Sequence, residues 1–299
     1  MIQIINITKS FGTIQAVNEI TLTIQNGLVF GMLGTNGAGK STLLRMMSGI
    51  LKPDSGQILI DGESIWDNPN AKEKIFYISD DQFYFLNATP SDLISFYKNY
   101  YPNFDEARFR EFLQNFDLDY NRKINTFSKG MKKQISILLG ICSNTPYIFC
   151  DETFDGLDPV MRQTIKSLFT KEITDRGLTP IIASHNLREL EDICDHIGLL
   201  HKGGVLLSKD LDDLKYNLLK IQCVLPPESD EYLDNALTIL KMQRRGKLLT
   251  MTVRGCEDEV LPIINKLEPI YCEALPLSLE EIFICETEVV GYDMQNLIH

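Results

Sequence analysis

The run Gly34-Thr35-Asn36-Gly37-Ala38-Gly39-Lys40-Ser41-Thr42 constrains this chain more than any other stretch. It fits the pattern GxxxxGK[ST]. It stands between a continuous apolar run at residues 28–33, which suits a fully buried strand, and a helical pattern at 41–50 that Gly49 and Pro53 bring to an end. That placement matters more than the letters. A strand that delivers a glycine-rich loop to a helix N-terminus lets backbone N–H groups converge on phosphate oxygens. Asn36, Gly37, Gly39, Lys40, Ser41 and Thr42 are therefore the candidate phosphate cradle. Lys40 is expected to reach the terminal phosphates and Ser41 to offer its hydroxyl to Mg²⁺.

Two further strand ends carry the chemistry such a cradle needs. Tyr147-Ile148-Phe149-Cys150-Asp151-Glu152 reads as a buried strand ending in two carboxylates. Alone they could be solvated loop charges. Paired with the phosphate loop, Asp151 is expected to hold Mg²⁺ through water and Glu152 to polarise the attacking water. A later apolar strand ends in Ala183-Ser184-His185, which would bring an imidazole to the same sheet edge for contact with the γ-phosphate. His196, His201 and His299 have no such position and are expected to be structural or exposed.

Around these motifs, β-type alternation at 2–7 and 16–24 and a strand at 57–61 suggest a small β layer leading into an α/β core. Residues from about 85 to 145 change character, with helical patterns at 91–101 and 106–116 and a further helix after Ser128. Strand-like runs at 147–150 and 180–183 with a helical stretch at 159–174 between them give the βαβ pattern of a parallel sheet. The core is expected to close near Ser208. Beyond it, strands at 219–225, 248–253 and 270–275 alternate with helices at 232–241, 257–266 and 279–286.

Composition limits what the ligand-binding role can be. Twenty-nine basic against 41 acidic side chains leave a net charge of −12, which disfavours broad attraction to nucleic acid or anionic lipid. A phosphate ligand must be held by local geometry. The longest strongly apolar run, 135–142, is far short of the roughly 20 residues a membrane helix needs. The opening residues lack the basic and apolar segments of a signal peptide, so cytoplasmic residence is expected. Seven cysteines without CxxC spacing point to reduced, buried thiols rather than disulfides or zinc.

With Phe127-Ser128-Lys129-Gly130-Met131 ahead of the acidic strand, the chain resembles the ATP-binding cassette family. The segment matches the family's LSGGQ signature imperfectly, keeping the serine and second glycine while Lys129 and Met131 replace the first glycine and the glutamine. Motif order carries the resemblance over roughly the first 210 residues. It implies a P-loop nucleotide hydrolase of α/β class, with an N-terminal antiparallel β layer, a parallel core sheet, an inserted helical subdomain and a small C-terminal α/β domain. Residues 1–208 would be the cassette and 209–299 the accessory domain.

The resemblance also implies roles. Ser128 and Gly130 would face the γ-phosphate of ATP held by a second subunit. Asp155-Gly156-Leu157-Asp158 would be the D-loop, with Asp158 counted among the nucleotide-binding residues. Phe11 would stack on adenine, the alternative being a core phenylalanine. The family's Q-loop glutamine is missing after the strand at 75–78, where the chain reads Ser79-Asp80-Asp81-Gln82. Asp80 would take its place, accepting Mg²⁺ or water, or Gln82 would substitute if the loop is displaced. The aromatics Phe83, Tyr84, Phe85, Phe96, Tyr97, Tyr100 and Tyr101 either line the groove for a permease helix or build the helical subdomain.

Family members also work outside transport, in repair, chromosome organisation and translation. Neither a long coiled coil nor a zinc module interrupts residues 40–151, and one cassette is present rather than two. The compact cassette, the Phe127-Ser128-Lys129-Gly130-Met131 signature and the late run Ser278-Leu279-Glu280-Glu281-Ile282-Phe283 resemble those of bacterial export systems, and the resemblance implies an ATP- and Mg²⁺-dependent ATPase subunit of an exporter of drugs, peptides or lipids. Its partners would be a second nucleotide-binding subunit, identical or different, and an integral membrane permease, with no nucleic acid. It would sit on the inner face of the membrane through that permease. The alternative is a soluble regulatory ATPase.

Overall fold

Along the first third of the chain run β1 (Ile2–Phe11), β2 (Ile14–Ile24), β3 (Phe30–Leu33), α1 (Lys40–Met47), β4 (Ser55–Ile60) and β5 (Glu63–Ser64). The computed structural model describes residues 1–289 apart from Asp155 and Pro276. Alternating apolar residues decide the first layer. Ile2, Ile4, Ile7, Val17, Ile20, Leu22 and Ile24 are buried while their neighbours are more exposed, the period of a half-buried antiparallel sheet. Its order is β2-β1-β4-β5.

Next come α2 (Pro69–Lys72), β6 (Ile75–Ile78), α3 (Pro90–Tyr97), α4 (Glu106–Asn115), α5 (Lys129–Cys142), β7 (Tyr147–Asp151), α6 (Pro159–Arg176), β8 (Thr179–Ser184), α7 (Leu187–Ile193), β9 (His196–His201) and β10 (Gly204–Asp210). The central sheet has the order β10-β9-β3-β8-β7-β6. The pairs β3/β8, β3/β9, β6/β7 and β7/β8 are parallel. Every residue of β3, β7 and β8 is buried, as continuous apolar strands covered on both faces must be. Parallel register places the ends of β3, β7 and β8, and with them Gly34, Glu152 and His185, at one edge of the sheet.

Helices α3, α4 and α5 begin on the caps Thr89, Asp105 and Ser128, each accepting from a backbone N–H three residues on. Arg108 of α4 and Arg176 of α6 both bind the buried carboxylate of Glu172, tying the helical segment to the core.

The chain divides at Ser208, and a second compact unit starts at Lys209. It contains α8 (Leu211–Tyr216), β11 (Leu218–Val224), α9 (Asp230–Ala236), β12 (Thr238–Arg245), β13 (Leu248–Arg254), α10 (Glu257–Asn265), β14 (Tyr271–Leu275) and α11 (Leu279–Val289). Its sheet runs β12-β13-β11-β14, antiparallel throughout. Ile221, Cys223, Leu249, Met251 and Val253 from the strands pack with Leu233, Val260 and Ile264 from the helices.

The structure departs from the sequence expectation here. The helix expected over 232–241 stops at Ala236, and Thr238–Arg245 is a strand. Lys241, Gln243 and Arg245 are exposed while Met242 and Arg244 are half-buried, a period of two. Pairing with β13 across the turn at Gly246 overrides the helical propensity of Lys-Met-Gln. The hairpin β9–β10 and helix α8 were likewise not anticipated.

Among the described residues, no helix is long and apolar enough to cross a membrane. Among the described residues no cysteine forms a disulfide, and Cys256 and Cys272 are half-buried rather than buried. His196 stacks on Phe30 at 5.3 Å between ring centroids, and His299 lies outside the described residues.

Candidate functional site

The loop between β3 and α1 is shaped by two glycines. A Cβ on Gly34 would stand 2.5 Å from the Leu200 carbonyl oxygen. Gly39 has φ +101°, and a Cβ there would lie 2.4 Å from the Ala16 carbonyl oxygen. Any other residue at either position must move the backbone. No side chain caps α1 and no acidic residue occupies its first turn, so the helix N-terminus is open to an anion. Lys40 is 5% exposed, and its ammonium donates to the carbonyls of Gly34 at 2.7 Å and Thr35 at 3.2 Å. It also lies 3.4 Å from Glu152 Oε1.

Asp151 closes the floor. Ser41 Oγ donates to its Oδ1 at 2.8 Å and the Tyr77 hydroxyl to its Oδ2 at 3.1 Å. The carboxylate is fully buried, and burial pushes its pKa up although both hydroxyls pull it down. Burial and the neighbouring Asp151 push the Tyr77 phenol up to about 12. A buried carboxylate beside a hydroxyl is a hard oxygen pair suited to Mg²⁺, which keeps water and phosphate oxygens as its other ligands. Among the described residues no three His, Cys, Asp or Glu side chains form a metal-holding group.

Glu152 follows at the end of β7 with φ +47°, an uncommon value for a residue with a side chain. Its N–H donates to the Ala183 carbonyl at 3.0 Å, and its carbonyl accepts from Lys133 Nζ at 2.6 Å. The carboxylate meets His185 Nδ1 at 2.8 Å.

Phe11, Asn36, Gly37, Gly39, Lys40, Ser41, Thr42, Asp80, Glu152 and His185 line one cleft of about 530 Å³. Phe11 is half-exposed at the end of β1, so the core alternative is set aside. Asp80 stands at the rim, 3.8 Å from Lys133, whereas Gln82 sits with its Oε1 3.1 Å from the Tyr84 hydroxyl and does not front the cleft. Ser128 and Gly130 do not line the cleft, nor does Asp158, whose side chain caps α6 by accepting from Met161 N–H at 2.9 Å. Asp155 of the expected D-loop lies outside the described residues.

Three contributors escaped the sequence reading. Lys129 lines the cleft, Tyr77 holds Asp151, and Lys133 holds the Glu152 carbonyl. None of the three left a signal in the sequence, since Lys133 lies two residues from both Met131 and Ile135 and so falls off the helix face that those residues share with Leu138.

The aromatic cluster divides. Tyr97 and Tyr101 lie against the buried Phe76, and the Tyr101 hydroxyl donates to the Ile75 carbonyl at 3.1 Å. Phe83, Phe85 and Tyr100 are exposed, with Leu86 beside them.

Known proteins share much of this sequence and this fold. The sequence model of the ABC transporter family matches residues 17–155. The ABC transporter ATP-binding protein YtrB of Bacillus subtilis is 31% identical over 286 residues, covering 96% of this chain and 98% of its own length. The bacitracin transport ATP-binding protein BcrA of Bacillus licheniformis is 30% identical over 218 residues, 72% of this chain and 71% of its own. A solved dimeric ATP-binding cassette in a post-hydrolysis state with ADP and Pi has the same fold, with a TM-score of 0.62 at 24% identity over 71% of this chain and 99% of its own. The similarity to YtrB extends over nearly the whole of both chains, and on that ground this chain belongs to the ATP-binding ATPase subunits of ABC transporters.

Proposed function

We propose that the chain hydrolyses ATP in this cleft to drive a bacterial exporter of drugs, peptides or lipids. The observation that carries the reading is Glu152, its carboxylate set between Lys40 at 3.4 Å and His185 at 2.8 Å above an uncapped phosphate loop. In this reading the open N–H groups of α1 and the Lys40 ammonium hold the phosphates. Ser41 and Asp151 hold Mg²⁺, with Asp80 able to add a ligand from the rim, and the ion neutralises phosphate charge when bound. Glu152 accepts the proton of the attacking water, and His185 fixes the carboxylate and reaches toward the γ-phosphate. Phe11 offers a π face to adenine.

The remaining assignments complete the assembly. Residues 1–208 act as the cassette and 209–299 as an accessory domain. Ser128, Gly130 and Asp158, standing outside the cleft, serve the nucleotide of a second cassette, identical or different. The exposed Phe83, Phe85, Leu86 and Tyr100 form an apolar face for a permease helix, which would hold the subunit on the inner side of the membrane. Relatives named for bacitracin transport, lantibiotic transport and linearmycin resistance support peptide or antibiotic cargo.

Cells lacking this chain should become more sensitive to at least one such antibiotic. Wild-type chain should restore resistance and Lys40→Ala should not. Unchanged sensitivity across the panel, with the permease expressed, would overturn the export reading.

A further inference from the structure

Lys133 is 1% exposed on α5, flanked by the buried Ile135, Ser136 and Ile137. An ammonium withdrawn this far from water is retained only where its surroundings replace hydration. Two of its neighbours belong to the proposed hydrolytic site. Its Nζ donates to the Glu152 carbonyl at 2.6 Å and lies 3.8 Å from Asp80 Oδ1. One side chain thus joins three segments: the loop after β6, the helix that starts at the signature, and the turn after β7.

The Glu152 turn needs such support. Its φ of +47° places a side-chain-bearing residue in the left-handed region, a conformation that persists only where surrounding contacts over-determine it. Both of its main-chain groups are pinned, the N–H by Ala183 and the carbonyl by Lys133. With these two bonds made, the carboxylate points at Lys40 and His185. Without the second, the Glu152 carbonyl loses its pin and the carboxylate its aim, while the phosphate loop, which Lys133 does not line, is untouched.

Asp80 supplies the variable part. It is more than half exposed, so its environment changes with whatever enters the cleft or docks beside it. Drawing its carboxylate toward or away from Lys133 changes the counter-charge on the ammonium and hence its hold on the Glu152 carbonyl. We infer that Lys133 is a positioning residue that relays the state of Asp80 to Glu152, setting the turnover rate without contributing to ATP binding. The inference rests on Glu152 being the base.

The test uses the full chain, with steady-state ATPase kinetics and binding of a fluorescent ATP analogue. Lys133→Met should lower kcat by up to about 100-fold, as small misplacements of a catalytic group do, with KM and analogue affinity changed by less than about twofold. Lys133→Gln keeps a donor for the carbonyl but no charge, and should recover most of kcat. At saturating Mg²⁺, Asp80→Asn should change kcat by at least about twofold in the wild-type background and by a clearly smaller factor in Lys133→Gln, because the relay needs both charges.

Glu152→Gln separates this inference from the reading beneath it. An active Glu152→Gln removes the base. An inactive Glu152→Gln beside a fully active Lys133→Met removes the positioning role alone. Equal effects of Asp80→Asn in both backgrounds overturn the relay. Should Lys133→Met fail to fold, the Lys133→Gln and Asp80→Asn cycle decides by itself.

Discussion

Replacing Glu152 by glutamine alters charge while nearly preserving shape, and the contacts around it fix where the loss must appear. The amide oxygen can still accept from His185 Nδ1, now 2.8 Å from Oε2. Lys40 gives up a partner at 3.4 Å but keeps the carbonyls of Gly34 and Thr35. The phosphate loop therefore stays formed and ATP binding survives. Removing a carboxylate that faces the phosphates also relieves like-charge repulsion, so affinity for ATP should hold or rise. The amide cannot take the proton of the attacking water. General-base catalysis contributes about 10²–10⁴ in rate, equivalent to about 2.7–5.4 kcal/mol of activation free energy, and that whole amount should leave kcat. Phosphate release at saturating ATP measures the loss. Light scattering with and without ATP should show dimers accumulating in the variant and dissociating in the wild type as ATP is consumed. Turnover within about threefold of wild type would refute the assignment of Glu152 as the base.

Burial pushes the Glu172 carboxyl up, but hydrogen bonds from Arg108 and Arg176 outweigh it and hold the pKa below its ordinary value of 4.5. Its contribution to stability is thus present above the ordinary value and lost as pH falls through the folded one. Glu172→Gln should cost about 3–5 kcal/mol at neutral pH, with the gap to wild type closing in acid, and a pH-independent gap in denaturant titrations would contradict this. Phe11→Ala should raise KM for ATP more than it lowers kcat, and Phe11→Tyr should be nearly silent; equal behaviour of the two would argue against stacking. In a homodimer, Lys40→Ala and Gly130→Asp should each be inactive, yet a mixture of exchanging subunits should regain hydrolysis at the one site with intact loop and signature. Verified mixed dimers with no recovery would mean that both sites must fire or that the signature acts within its own chain.

Much of the site was legible because its parts are local. A glycine-rich turn between a buried strand and a helix, two carboxylates ending one strand and a histidine ending another are written in consecutive residues. Backbone geometry then carries them: parallel strands side by side put their ends at one edge. The alternation of Ile2 to Ile24 and the caps at Thr89, Asp105 and Ser128 are local in the same way.

What stayed hidden depends on partners distant in sequence. Thr238–Arg245 is a strand because β13 pairs with it, and its own residues suit a helix equally well. Phe11 could stack or be buried until β1 was placed beside the phosphate loop, where the ring is half-exposed in the cleft. Asp80 and Gln82 compete as letters, and only the path of the loop turns Asp80 to the cleft and Gln82 to Tyr84. Lys133 shows the limit most clearly. Sequence by itself determined that Lys133 follows Ser128 in a helix, while tertiary packing decided that its charge is buried where it meets the Glu152 carbonyl and Asp80. A buried charge takes its function from the groups that replace its water, and those groups come from elsewhere in the chain.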